Sequence, residues 1–148
     1  MFINIRPFLP GDQAAARQLI LAGLGEHFGW IDDTCNPDLD DITANYIEAG
    51  HVFVVAEAEG ELIGAGALMT ESQTSGRLVR MSVSRQHRRK GVGRALLEYL
   101  RTVAAQKGFT QVRVSTEPDW ADAIGFYRQN GFTEVGRDEG SVYFSFTL

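Results

Sequence analysis

One stretch constrains this chain more than any other: Val83-Ser84-Arg85-Gln86-His87-Arg88-Arg89-Lys90-Gly91-Val92-Gly93-Arg94. Before it, residues 77–84 alternate as a strand does. Val79, Met81 and Val83 share one face, and Leu78, Arg80 and Ser82 share the other. After it, Ala95, Leu96, Tyr99, Leu100 and Val103 form the apolar stripe of a helix over 91–107, with Gly108 as its terminating residue. Residues 109–116 return to a strand pattern. Strand, helix and strand at this spacing read as a βαβ unit, so the sheet must contain a parallel pair with a helix across it. The basic turn then lies where a helix begins. That end of a helix offers unpaired N–H groups and a positive dipole end, and Gly91 and Gly93 leave the backbone bare to an approaching anion. Successive amides in such a turn form an anion-binding nest.

The charge distribution agrees. Net charge is −5, yet residues 77–94 carry 7 of the 14 Lys and Arg side chains and no acidic one. Residues 1–76 carry only 2 basic groups against 12 acidic ones. An acidic protein with one concentrated basic segment is not built to coat nucleic acid, and no nucleic-acid partner is expected. A local anion site and a solvated basic turn both fit. A nucleoside-triphosphate P-loop is excluded, because the spacing of its glycines and its following Lys and Ser/Thr are missing. A dinucleotide fingerprint is weak, because Leu96 stands where a third small residue belongs. The diphosphate of coenzyme A is the third reading.

The rest of the chain supplies a sheet for this unit. Residues 2–8 read as a strand and 13–25 as a helix with Ala15, Leu19 and Ala22 on its stripe, behind Asp12 as N-cap. Residues 26–41 are turn-rich, and 41–49 form a short helix ended by Gly50. Residues 51–58 and 61–71 form a hairpin across Glu59-Gly60. A helix capped by Asp119 ends near Asn130-Gly131, and residues 132–137 and 142–148 close the chain as a second hairpin. The order is βααβββαβαββ: an α/β fold of the α+β type, with a mixed, mostly antiparallel sheet of about seven strands flanked by about four helices. With 148 residues and no linker or repeat, one domain over 1–148 is expected. The single cysteine, Cys35, excludes an internal disulfide, and the three histidines show no metal-ligand spacing, so no metal is expected. No apolar run reaches the ~20 residues a membrane helix needs, and the first residues lack the pattern of a secretory leader. A cytoplasmic protein without a membrane partner is the expectation.

Two segments carry a family resemblance. Arg88-Arg89-Lys90-Gly91-Val92-Gly93 matches the Gln/Arg-x-x-Gly-x-Gly/Ala signature of the GNAT superfamily of N-acyltransferases. Ala123-Ile124-Gly125-Phe126-Tyr127-Arg128-Gln129-Asn130-Gly131-Phe132 fits its Ala-x-x-Phe-Tyr-x-x-x-Gly-Phe block. The element order agrees as well, so the chain resembles this family over nearly its whole length. The resemblance implies acetyl-CoA as co-substrate and transfer of its acetyl group to a primary amine by direct attack in a ternary complex. A non-catalytic acyl-CoA-binding regulator is the alternative, and homodimers are common in the family.

The resemblance also implies roles. The pantetheine arm would pair with the backbone of Met81, Ser82 and Val83, which the family places beside a cleft where this strand and 109–116 splay apart. The diphosphate would lie on the amides of Arg89, Lys90, Gly91, Val92, Gly93 and Arg94, with Arg88 and, less strongly, Arg85 in contact. Phe126 borders the same site. Tyr127 matches the family's frequent general acid for the departing thiolate; a tyrosine buried for packing is the plain alternative. Trp120 stands where many relatives carry an Asn that contacts the cofactor; it can stack on the cofactor or cover the core, with Asp119 as a neighbour able to take over the Asn's contacts. Gly76 and Arg77 occupy the region where some relatives carry a base, so Glu117 is the candidate base, and a solvated turn carboxylate is the alternative. The acceptor would face Glu26-His27-Phe28-Gly29-Trp30-Ile31-Asp32-Asp33 and Asp38, Asp40 and Asp41, where carboxylates and aromatics suit a cationic amine. His27 itself reads as structural or solvent-facing.

Overall fold

The computed structural model describes residues 1–28 and 36–148. Seven strands form one sheet: β1 (Asn4–Pro7), β2 (Val52–Ala58), β3 (Glu61–Thr70), β4 (Ser75–Val83), β5 (Gln111–Thr116), β6 (Thr133–Arg137) and β7 (Val142–Thr147). Their order is β1-β2-β3-β4-β5-β7-β6, and only β4 and β5 run parallel. Three α-helices flank the sheet: α1 (Gln13–Phe28), α2 (Val92–Gln106) and α3 (Ala121–Gln129). The helix expected over 41–49 is a single π-helical turn, Thr43–Ile47, preceded by a 3₁₀ turn at Pro37–Leu39. No helix among the described residues is long and apolar enough to cross a membrane.

The core lies on both faces of the sheet. Period-two alternation in β2 sends Val54 and Ala56 to one side, where they meet Leu96, Leu97 and Leu100 of α2. It sends Phe53 and Val55 to the other, against Ala16, Ile20 and Leu21 of α1 and Ile42 and Tyr46. The α1 stripe is a correction. Ala15 and Ala22 are exposed and Leu19 only half-buried, while Ala16, Ile20 and Leu21 are buried. Residues 13–25 are apolar around most of the helix, so spacing alone does not choose the inward face.

Two expected caps also differ. Asp12 does not cap α1. It accepts the amide of Leu9 (2.8 Å) and two bonds from Arg6 (2.8 and 2.9 Å), which hold its carboxyl below the ordinary range against the pull of burial. Asp119 does not cap α3; Trp120 stands at that position without a side-chain cap. Asp41, by contrast, accepts the amide of Ala44 (3.0 Å), as a cap should. β4 begins at Ser75 rather than 77, because Ser72 Oγ accepts the amides of Thr74 and Ser75 and folds the loop into a tight turn.

Candidate active site

The site grows from the way β4 and β5 part. Their parallel ladder holds only Ser75 with Gln111, Gly76 with Val112 and Arg77 with Arg113. Beyond Arg77, β4 stays with β3 while β5 continues with β7 as far as Thr116. β4 is also bulged. Ala65 faces Ser82 and Ala67 faces Val79, so Gly66 alone opposes both Arg80 and Met81. Arg80 takes a left-handed φ of 58° there. The extra residue turns the strand away from β5. Residues 79–83 are half-exposed although β4 is central, so the backbone edge of Met81, Ser82 and Val83 that faces β5 is unladdered.

The basic turn follows directly. Ser84 donates its amide to Ile63 O (2.8 Å), and Ser84 Oγ and His87 Nδ1 lie 2.6 Å apart. Arg89 (φ 60°) and Gly91 (φ 85°) are both left-handed, which directs successive amides to one side. Among the described residues, no amide of 88–94 makes a close bond to a main-chain carbonyl; the first is Ala95 N to Gly91 O (3.0 Å). Gly93 is needed for a different reason. A Cβ there would come within 3.2 Å of Phe126 Cε1, so α3 packs on the start of α2 through that ring. Arg88, Arg89, Lys90 and Arg94 are all exposed. Only Arg88 of these has an ion pair among the described residues: its Nη1 lies 2.6 Å from Glu26 Oε2, while its Nε–H donates to Val83 O (3.2 Å).

Tyr127, in α3, belongs to the core on the α2 face of the sheet and is only 6 % exposed. Its ring meets Phe126 (5.2 Å), Phe132 (5.4 Å) and Phe144 (6.2 Å). Burial raises its phenol well above the ordinary value. Its hydroxyl makes no side-chain or main-chain hydrogen bond among the described residues. The aromatic cage thus makes Tyr127 a core residue whose one polar atom stays protonated.

The mouth of the cleft holds what the sequence reading missed. His27, in the last turn of α1, stacks on Trp120 with centroids 4.0 Å apart and planes 9° apart. Its Nε2 lies 3.5 Å from Glu117 Oε2 and 3.8 Å from Asp119 Oδ1. His27 is therefore not a bystander, and Trp120 has an imidazole as its partner. Asp119 is 80 % exposed and faces His27. A histidine in a turn-rich stretch carries no local sign of a partner some 90 positions away, so only the fold reveals this group.

The acceptor-side carboxylates need correction too. Asp38 accepts Nε–H (3.0 Å) and Nη2–H (2.6 Å) from Arg80 and the hydroxyl of Tyr46 (2.6 Å). Arg80 also donates to Asn36 Oδ1 (2.9 Å). Burial opposes the charge on Asp38, yet these bonds win and hold its carboxyl below the ordinary range; burial and the same carboxylate push Tyr46 up to about 12. Asp40 pairs with Arg17 (3.2 Å), and Asp41 caps a turn. Each of the three thus has a structural partner, while Asp40 remains 59 % exposed. Gly29, Trp30, Ile31, Asp32 and Asp33 fall outside the described residues.

A family model described as "Acetyltransferase (GNAT) domain" matches residues 49–134. N-acetyltransferase family 8 member 2 of Rattus norvegicus is 38% identical over 67% of this chain and 46% of its own length. Human N-acetyltransferase 8B is 32% identical over 73% of this chain and 50% of its own. The chain thus spans about half the length of the curated relatives it matches. Among solved structures, a GNAT-family acetyltransferase of Staphylococcus aureus superposes with a TM-score of 0.89 at 23% identity, covering 99% of both chains. The PaiA N-acetyltransferase of Thermoplasma acidophilum, in complex with coenzyme A, gives 0.88 at 18% identity over 100% of both. The fold is therefore shared across great sequence distance. With a splayed parallel pair, a bulged β4 and a bare-amide turn in that fold, and a family model over more than half its residues, the chain belongs to the GNAT acetyltransferase family.

Proposed function

We propose that the chain moves an acetyl group from acetyl-CoA to a primary amine, a small amine, an amino acid or a peptide N-terminus. The observation that carries the reading is the run of unbonded amides at 88–94, set at the open end of the parted strands. The diphosphate takes these N–H groups and the helix-end dipole, with Arg88, Arg89, Lys90 and Arg94 around it. The pantetheine arm adds to the free edge of Met81, Ser82 and Val83, as an extra strand would. It passes Gly93 and Phe126 on its way to the thioester, while Val92, whose side chain is buried in the core, offers its amide to the diphosphate.

The amine nitrogen attacks the thioester carbonyl carbon, the N–C bond forms and the C–S bond breaks. The sulfur leaves with the electron pair and takes the Tyr127 proton. The apolar cage keeps the phenol protonated until the sulfur leaves, and the same burial makes the transfer uphill, so it depends on close positioning of the sulfur. Glu117, directly after β5, sets its carboxylate beside His27 at the cleft mouth, the side from which the amine's proton leaves. Trp120 walls the same mouth.

Titration with acetyl-CoA, followed by thiol release against a panel of amines, tests the reading. Binding followed by release on amine addition supports transfer. Binding without release by any amine favours an acyl-CoA-binding regulator, and no binding removes both.

A further inference from the structure

We propose that His27 is the group that takes the proton from the acceptor amine, and that Glu117 acts through it as a positioning carboxylate. The inference rests on the acetyl-transfer reading above. Its first support is position. α1 lies on β4 so closely that a Cβ on Gly23 would come within 3.0 Å of Ser82 Oγ. His27 is one turn further along the same face. It therefore overhangs the end of β4, past the point where β4 and β5 have separated. From the other arm, Glu117 and Trp120 reach the same ring.

The second support is orientation. Stacking on Trp120 fixes the plane of the imidazole. Nε2 then points at Glu117 and Asp119, at 3.5 and 3.8 Å. These are charge-pair distances, longer than a direct hydrogen bond, so an amine nitrogen or a water can meet both Nε2 and the carboxylate. The adjacent Glu26 is paired with Arg88, which leaves Glu117 and Asp119 as the charges facing the ring among the described residues. This also accounts for the departure at position 120. An indole holds a histidine face that an asparagine could not.

The third support is chemistry. A histidine ordinarily titrates near 6.5 and a glutamate near 4.3, so an imidazole is the better match to an amine proton at neutral pH. In the step, the amine N–H proton passes to His27 Nε2 as the N–C bond forms. Glu117 steadies the imidazolium, Tyr127 protonates the sulfur, His27 then releases its proton to water and Tyr127 takes one back from water, which restores the starting state.

The test uses thiol release with the best alkylamine of the panel and its β-fluorinated, weakly basic analogue, each across pH 5.5–9 in chelator. His27→Gln should cut kcat/KM for the alkylamine by about 100-fold and remove the rising limb in the histidine range. The loss for the fluorinated amine should stay below about tenfold, because less proton removal is demanded of the protein. Acetyl-CoA affinity and the melting curve should hold, and His27→Asn should behave alike. Glu117→Gln should move the rising limb to lower pH. An unchanged limb in His27→Gln overturns the proposal. So does an equal loss for both amines, which marks a structural role, and so does loss of wild-type activity in chelator. If the wild type binds acetyl-CoA yet releases thiol with no amine, the transfer reading itself fails and the proposal with it.

Discussion

Glu26 pairs with Arg88, the side chain that the proposed function gives to the diphosphate. The two side chains meet at 2.6 Å, with 34 % and 44 % of their surfaces exposed, so water and salt screen the pair. A pair this exposed contributes about 0.2–1 kcal/mol. Binding the diphosphate requires Arg88 to break it. Glu26→Gln removes that cost and should tighten coenzyme A by about 1.4- to 5-fold. It also lifts one negative charge from the neighbourhood of an anion, an effect of the same sign. Calorimetric titration at low ionic strength measures both, and Arg88→Gln separates them. On that background the pair is already gone, so Glu26→Gln should keep only the longer-range gain. Both gains should fade toward 1 M salt, where screening acts over about 3 Å. A Glu26→Gln variant that binds coenzyme A no better than wild type, or worse, would refute Arg88 as a diphosphate ligand competing with Glu26.

Tyr127→Phe should lower turnover by about 100-fold or more while acetyl-CoA affinity holds. It should change stability by less than about 0.5 kcal/mol by denaturant melts, because the hydroxyl has no partner among the described residues. Burial raises the phenol, so the wild-type rate should show no descending limb from tyrosine ionisation below about pH 10. Asp38→Asn should destabilise by about 1–3 kcal/mol near neutral pH. The folded carboxyl titrates below its ordinary value, so the wild type's advantage is full above about pH 4 and fades as pH falls further, read as converging melting temperatures. Gly91→Ala should cost about 1 kcal/mol because φ is 85° there, although open space surrounds the position, and coenzyme A affinity should fall as the turn distorts.

What the sequence made legible follows from how local each signal is. Hairpins announce themselves through turn residues and alternation, and the βαβ unit through a change of period followed by glycine, so the order of elements along the chain and the parallel pair are readable. The basic turn was readable because its chemistry is contiguous: the amides, the glycines and the charges all lie within residues 88–94. The bulge in β4 was not. It depends on Gly66 facing two residues of another strand, and an arginine at φ 58° carries no local mark. Nor was the inward face of α1, since a helix apolar on most sides chooses its face only when a sheet is placed against it.

The last turn of α1 gathers those missing parts. Glu26 reaches the diphosphate turn after β4, and His27 reaches Glu117 and Trp120 after β5. Two adjacent residues therefore touch both arms of the cleft. α1 packs close on β4 at Gly23, where a Cβ would come to 3.0 Å from Ser82 Oγ. This turn lies outside the matched family segment, residues 49–134. The contiguous machinery of acyl-CoA recognition can then stay constant while the α1 turn alters what approaches the thioester. A substitution at Gly23 tests that division. Gly23→Ala should displace α1 from β4 and weaken amine-dependent turnover, because His27 moves with the helix. Coenzyme A binding should change by no more than the few-fold that the Glu26–Arg88 pair controls, as calorimetry and steady-state kinetics on one preparation would measure. Equal losses in cofactor binding and turnover would mean that α1 supports the whole cleft rather than its acceptor side.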